Sequence, residues 1–117
     1  NDLAAVRERI SAGDDPNWVN KFKDWDNMTA LHVACFYEYI EIAILLISLD
    51  QNKIDVNKQN NRGSTPLLFA CFNGHTEVVN AMISNDRVDV NKAENDGCTP
   101  LYVACQNGHT EVVKILI

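Results

Sequence analysis

Hydrophobic and polar residues follow the same order three times along this chain. A short segment with the pattern Thr-[Ala/Pro]-Leu-x-x-Ala-Cys occurs at residues 29–35, 65–71 and 99–105. A second apolar stretch follows, with hydrophobic residues at i, i+1, i+4 and i+5, as in Val78, Val79, Met82 and Ile83. This spacing predicts a helix with a single apolar face. The recurrence therefore predicts pairs of short helices, each of which must stack on another copy to bury its apolar surface.

The residues at the start of each segment predict where its first helix begins. Gly63 and Gly97 lie just before the threonine and suit a tight turn that needs a positive φ. The threonine is then expected to cap the helix, with Pro66 and Pro100 at the first helical position, where a missing N–H has no cost.

Other residues predict the turn between the two helices of a unit. Gly74 and Gly108 are expected to end the first helices, and Thr76 and Thr110 are expected to cap the second helices. The first unit has Glu38 where the other two have glycine. We therefore expect its inter-helix turn to be made differently.

Two further blocks recur in register with the threonine segments. Val-Asn-Lys occurs at residues 19–21, 56–58 and 90–92, and Asn-Gly-His-Thr-Glu-Val-Val occurs at 73–79 and 107–113. Together these blocks resemble the ankyrin repeat, a unit of about 33 residues with the signature T-P-L-H-x-A, a β-turn and two helices. The resemblance implies an all-α fold with β-turn or hairpin connections, an ankyrin-repeat solenoid of stacked helix-turn-helix units.

The repeats divide the chain, which is predicted to form a single domain over residues 1–117. The division is an N-terminal half-unit (1–20), two repeats (21–57 and 58–91) and a C-terminally truncated repeat (92–117). Terminal units of such arrays normally have a polar outer face. The last unit instead ends on an apolar stripe, so we expect this chain to be a segment of a longer array or to lack a disordered remainder. The stripe consists of Val112, Val113, Leu116 and Ile117.

The histidines recur with the repeat, which favours a structural role over a catalytic one. The resemblance implies that His32 hydrogen-bonds near Thr29 and stabilises the turn, whereas His75 and His109 belong to the repeated Gly-His-Thr-Glu block. We find no nucleophile–base set, no paired carboxylates that break the periodicity and no glycine-rich phosphate loop. The sequence therefore predicts no catalytic residues, no cofactor and no small-molecule substrate.

The four cysteines are predicted to be free thiols. Cys35, Cys71 and Cys105 occupy equivalent positions in successive helices, too far apart for disulfides, and all three are expected to be buried. Cys98 lies on a turn, where we expect it to be exposed but unreactive. The spacings C-x-x-C and H-x₃₋₅-H do not occur, so no metal site is predicted.

Composition narrows the classes of partner. The 117 residues have a net charge of −6, which argues against binding to nucleic acid or to an anionic membrane surface. No apolar run reaches the length of a membrane span, and no secretory leader is visible. Free thiols without a leader favour a cytoplasmic location, with the nucleus as the alternative.

The resemblance implies a non-catalytic module that binds a protein partner on the concave face formed by turn tips and first helices. Side chains that the repeat does not constrain are the candidates, and those in the first two full units are rich in the aromatic, Met and Arg types typical of interface hot spots. The third unit offers amides and an acid instead. The predicted partner-binding residues are Trp25, Met28, Phe36, Tyr37, Arg62 and Phe72.

Alternatives remain open at this stage. Phe36 and Phe72 could simply fill the space between units, and the chain could be a structural spacer in a longer array or a multidomain protein whose activity lies elsewhere. Asn57 and Asn91 match an Asp-Val-Asn pattern that is β-hydroxylated in some members of the resembled family, although hydrogen bonding within the loop would also explain them. A monomer or part of a longer chain is expected.

Overall fold

Six helices in three pairs make up the part of the chain that the structure describes. The computed structural model describes residues 28–49 and 53–117, and no β-strand occurs within these residues. The predicted N-terminal half-unit lies outside the described residues, and the unit boundaries remain predictions. The helices are α1 (Ala30–Phe36), α2 (Ile40–Ile47), α3 (Pro66–Asn73), α4 (Thr76–Ile83), α5 (Pro100–Gln106) and α6 (Thr110–Leu116).

Threonine caps begin the first helix of every unit, as the sequence predicts. Thr29, Thr65 and Thr99 have extended backbones, and each hydroxyl accepts a hydrogen bond of 3.2 to 3.3 Å from the backbone N–H three residues later. Pro66 and Pro100 occupy the first turn of α3 and α5. The turn before the threonine has the positive φ expected for glycine, +80° at residue 63 and +89° at residue 97. These local bonds set the start of each unit.

His32 stabilises its turn, as the resemblance implied. Its Nδ1 accepts from the Thr29 backbone N–H at 3.1 Å and lies 2.8 Å from the Thr29 hydroxyl. Its Nε2 donates to the Ser64 carbonyl of the next unit at 2.9 Å. Burial lowers the pKa of His32 to about 4, so the ring is neutral at physiological pH. One neutral imidazole therefore completes a capping box and also connects two units.

The inter-helix turn of the first unit was predicted incorrectly. Glu38 adopts a left-handed φ of 60°, close to the 71° of Gly74, and the next backbone N–H donates to Ala34 O at 2.9 Å, just as it does in the other units. A left-handed backbone costs a non-glycine residue roughly 1–2 kcal/mol. The Glu38 carboxylate also lies 3.4 Å from Nδ1 of His75 in the next unit, a contact that glycine could not make. The unit thus keeps the common turn despite the strain.

The second helices lack the side-chain caps that we expected from threonine. Their N-cap residues are Tyr39, His75 and His109, and no side-chain hydrogen bond caps these ends. Thr76 and Thr110 are the first helical residues instead. The reason is geometric: one residue, His75 or His109, follows the left-handed turn and occupies the cap position, so the threonine comes one residue later.

The helices form two layers. The first helices (α1, α3 and α5) pack side by side, and the second helices (α2, α4 and α6) pack behind them in the same order. Leu31 and Leu67 of the first layer and Leu46, Val79 and Met82 of the second are almost completely buried between the layers. The core is therefore built from contacts between neighbouring units, as expected for a solenoid.

Side chains of one unit also bind the backbone of the preceding unit. Asn73 Nδ2 and His75 Nε2 donate to the Phe36 carbonyl at 3.0 and 2.8 Å. Asn107 Nδ2 and His109 Nε2 donate in the same way to the Phe72 carbonyl, at 3.2 and 2.8 Å. These bonds explain why the Asn-Gly-His block recurs, and they give both histidines a role in stacking.

None of the helices that the structure describes has the length and apolar character needed to cross a bilayer.

Candidate functional site: a groove along the first helices

A groove of about 840 Å³ runs along the first helices and the turn tips before them. Its lining brings together five of the six partner-binding residues predicted from the sequence: Met28, Phe36, Tyr37, Arg62 and Phe72. The sixth, Trp25, lies outside the described residues. The five come from two units that are separate in sequence, so stacking of the units assembles this surface.

Aromatic rings line the end of the groove where the first helices finish. Phe36 is half-buried because its ring meets the rings of Phe69 and Tyr37 edge-on, with centroid distances of 5.7 and 4.9 Å. Tyr37 and Phe72 are 46% and 48% exposed. Phe36 therefore partly fills the space between two units. Phe72 does so much less, because about half of its side chain is exposed.

Tyr37 and Tyr39 enlarge the aromatic surface in the first unit. Their rings stack with centroids 5.6 Å apart. In the other units the equivalent positions hold the asparagine and histidine that bind the preceding unit. The first unit has thus exchanged two stacking residues for two aromatic side chains, one of which lines the groove.

The structure adds Tyr102 to the candidate site. The third unit was expected to offer amides and an acid, yet its Tyr102 is 54% exposed and lines the groove. It occupies the position of His32, which is fully buried. The sequence shows this aromatic residue at a position where the first two units have His32 and Leu68.

The turn-tip end of the groove is polar and acidic. Glu94 accepts a 2.9 Å hydrogen bond from the Ser64 hydroxyl of the preceding unit, which fixes one carboxylate at the junction between two units. Asp96 accepts from the Cys98 backbone N–H at 3.1 Å. Hydrogen bonds from Cys98 hold the pKa of Asp96 below its usual range, so this carboxylate is ionised at neutral pH.

Glu94, Asp96 and Cys98 also form a cluster that the sequence analysis missed, with potential ligand atoms within 4.8 Å of one another. The hydrogen bond to Asp96 raises the pKa of the Cys98 thiol, and metals bind the thiolate form. The shift disfavours that form at the half-buried Cys98, and the absence of a metal site stays a prediction.

The other cysteines divide into two environments. Cys35 and Cys71 are buried, as expected, and burial raises the pKa of both thiols, to about 12 at Cys71. Cys105 was expected to be buried in the same way, and this was wrong because the side chain is exposed. Its helix α5 contacts a first helix on one side, whereas α3 contacts a first helix on both sides.

The two candidate hydroxylation residues have different surroundings. Asn57 Nδ2 donates to Arg87 O at 2.7 Å, and its Oδ1 accepts from the Asp89 backbone N–H at 2.8 Å. Its amide thus connects two loops, the role that loop hydrogen bonding would explain. Asn91 is exposed. Hydroxylation of either residue stays a prediction.

Family models decide the identity of the fold. A model described as "Ankyrin repeats (3 copies)" matches residues 49–117, and one described as "Ankyrin repeat" matches residues 26–61. The chain belongs to the ankyrin-repeat family. Members of this family are generally non-catalytic protein-interaction modules.

Individual relatives share ankyrin-like segments with this chain. The SMC5-SMC6 complex localization factor protein 1 of Homo sapiens is 46% identical over 55 residues, and that of Mus musculus is 44% identical over 55 residues. Each match covers 47% of this chain and 5% of the relative. Serine/threonine-protein kinase 12 of Arabidopsis thaliana is 31% identical over 81 residues, which are 69% of this chain and 16% of the kinase. The chain thus spans only a small fraction of these curated relatives.

Proposed function

We propose that this ankyrin-repeat chain is a non-catalytic module that binds a protein partner in the groove along its first helices. One observation carries the proposal: each of the three units contributes an exposed aromatic side chain to the same groove. Tyrosine and other aromatic residues are enriched in interface hot spots because they bury much area at little entropic cost. Tyr37, Phe72 and Tyr102 are the proposed anchors, with Met28, Phe36 and Arg62 around them.

The remaining features of the proposed function follow from composition and family. The module acts without a cofactor or a small-molecule substrate, and it binds neither nucleic acid nor membrane, in keeping with its net charge of −6. It is a monomer or part of a longer chain. The free thiols support a cytoplasmic or nuclear location.

A structural spacer within a longer array is the second candidate function. It is favoured by Leu101, Tyr102 and Cys105, which are exposed although their equivalents in the inner units are buried. A following ankyrin unit would cover these positions, and recognition would then take place elsewhere.

Affinity capture with matched variants distinguishes the two candidates. The groove variant Phe72→Ser/Tyr102→Ser changes two exposed side chains, so it is expected to keep its fold by circular dichroism. The control Ile44→Ser changes a residue that is 47% exposed on α2 and does not line the groove. We expect specific proteins to bind wild type and the control but to be lost from the groove variant. Equal capture by all three proteins would instead support the spacer.

A further inference from the structure

Polar and apolar chemistry are separated along the groove. The carboxylates of Glu94 and Asp96 lie in the turn that precedes α5, whereas Phe36 and Phe72 lie near the ends of α1 and α3. A helix of seven or eight residues rises 1.5 Å per residue, so the two regions are roughly 10 Å apart along the direction of the helix axes. A partner that fills the groove must therefore match two different environments at a fixed separation.

The charges at the turn-tip end are unbalanced. Among the described residues that line the groove, one is basic, Arg62, and two are acidic, Glu94 and Asp96. Glu94 is fixed by Ser64, and Asp96 is fixed by the Cys98 backbone N–H, so both carboxylates are held in place before a partner arrives. Preorganised charges lose less entropy on binding than mobile ones.

The net charge of the whole chain also favours a basic partner. A net charge of −6 steers cationic partners toward the protein and repels acidic ones. The exposed rings at the other end of the groove need an apolar partner side chain to exclude water from them. These two requirements define one occupant.

We infer that the groove binds a protein segment that carries a Lys or Arg side chain and, roughly 10 Å away along the direction of the helix axes, a large apolar side chain. The basic group contacts the carboxylates of Glu94 and Asp96, and the apolar group packs against Phe36 and Phe72. A charge-assisted hydrogen bond to a carboxylate is about twice as strong as a neutral one, so the basic group contributes both affinity and orientation. This inference rests on the proposed function, because it names the partner chemistry of the same groove.

Selection from a random peptide library tests the inference without knowledge of the natural partner. The probe is a phage-displayed library of twelve-residue peptides, panned in parallel on the immobilised 117-residue wild type and on Glu94→Gln/Asp96→Asn. Both substitutions keep an oxygen that can accept from Ser64 or Cys98, so the fold is retained while the charges are lost. The control Glu77→Gln/Asp86→Asn removes the same two charge types from exposed positions that do not line the groove.

We expect peptides selected on wild type and on the control to be enriched in Lys or Arg together with a large apolar residue. Peptides from Glu94→Gln/Asp96→Asn should lose the basic enrichment and keep the apolar one. Measured by fluorescence anisotropy, a selected peptide should bind the charge variant at least tenfold more weakly than wild type, and the difference should shrink as salt is added.

Other outcomes overturn the inference in distinguishable ways. Selected peptides without basic enrichment, or with equal affinity for wild type and the charge variant, overturn the basic partner alone if they still lose binding to Phe72→Ser/Tyr102→Ser. Peptides that bind that groove variant as well as wild type overturn the proposed groove function too. Wild type that enriches no peptide also overturns both.

Discussion

The second and third units share their motif but not their environment. Leu67 and Leu101 occupy the same position after a threonine cap and a proline, yet Leu67 is 1% exposed and Leu101 is 37% exposed. One position later, Leu68 is 3% exposed and Tyr102 is 54% exposed. The repeat fixes the local backbone of both units, whereas burial depends on how many neighbours a unit has. A residue type that forms core in one unit can therefore form a binding surface in another.

The largest expected effect is a difference in unfolding free energy between variants at the two equivalent leucines, Leu67 and Leu101. Leu67→Ala should lower the free energy of unfolding by about 2–5 kcal/mol, because it leaves a cavity between layers. Leu101→Ala should cost about 1 kcal/mol or less, since its side chain is partly solvated already. Urea unfolding followed by circular dichroism measures both.

Should Leu67→Ala fail to fold, the milder pair Leu67→Val and Leu101→Val preserves the same comparison. Equal costs at the two positions would contradict the burial that distinguishes the inner unit from the outer one.

The next largest effect is a pH dependence of stability that His32 causes in the first unit. The third unit has Tyr102 at the equivalent position. The folded pKa of His32 is about 4, below its ordinary value of 6.5, so the unfolded chain takes up the proton first. The stability contributed by the neutral ring is complete above pH 6.5 and falls as the pH drops towards 4, by up to about 3 kcal/mol.

The matched variant for this prediction is His32→Leu, which installs the residue found at position 68. Urea midpoints measured between about pH 7 and pH 4 should fall more steeply for wild type than for His32→Leu. Both proteins retain His75 and His109, so the two profiles differ only through position 32. Parallel pH profiles would show that burial of His32 does not set its protonation.

The smallest expected effect is a difference in chemical reactivity between equivalent cysteines, which leaves stability unchanged. Iodoacetamide should alkylate Cys105 readily in the folded protein, whereas Cys35 and Cys71 should react only after unfolding in urea, because burial raises their pKa and blocks access. Peptide mass spectrometry follows each site separately. Similar rates for Cys71 and Cys105 would show that the outer unit is covered as completely as the inner one.

Sequence alone was sufficient where local chemistry decides the structure. Thr65 caps its helix, Pro66 begins it and Gly74 ends it, all through bonds within a few residues. The turn at Glu38 was missed because local preference disfavours a left-handed glutamate there, while the packing of α1 against α2 and α3 holds the common turn. Propensity gave the wrong answer at this residue because tertiary contacts outweigh it.

The candidate site was predicted in part for the same reason. Phe72 was found because the repeat leaves its position unconstrained, and the structure places it in the groove. Tyr102 and Glu94 were missed because their roles depend on neighbouring units: one is left uncovered, and the other is fixed by Ser64 across a junction. Exposure and cross-unit bonding are properties of the stack that no single repeat encodes.

At each junction between units, one residue uses its backbone for stacking and its side chain for the groove. Phe36 and Phe72 offer their main-chain carbonyls to the next unit while their side chains line the groove, and Gln106 lines the groove at the corresponding position of the third unit. Since every amino acid has the same main-chain carbonyl, the side chain can change without loss of the hydrogen bonds between units. Evolution, or a protein engineer, can therefore rewrite binding specificity at these positions while the units continue to assemble in one direction and one order.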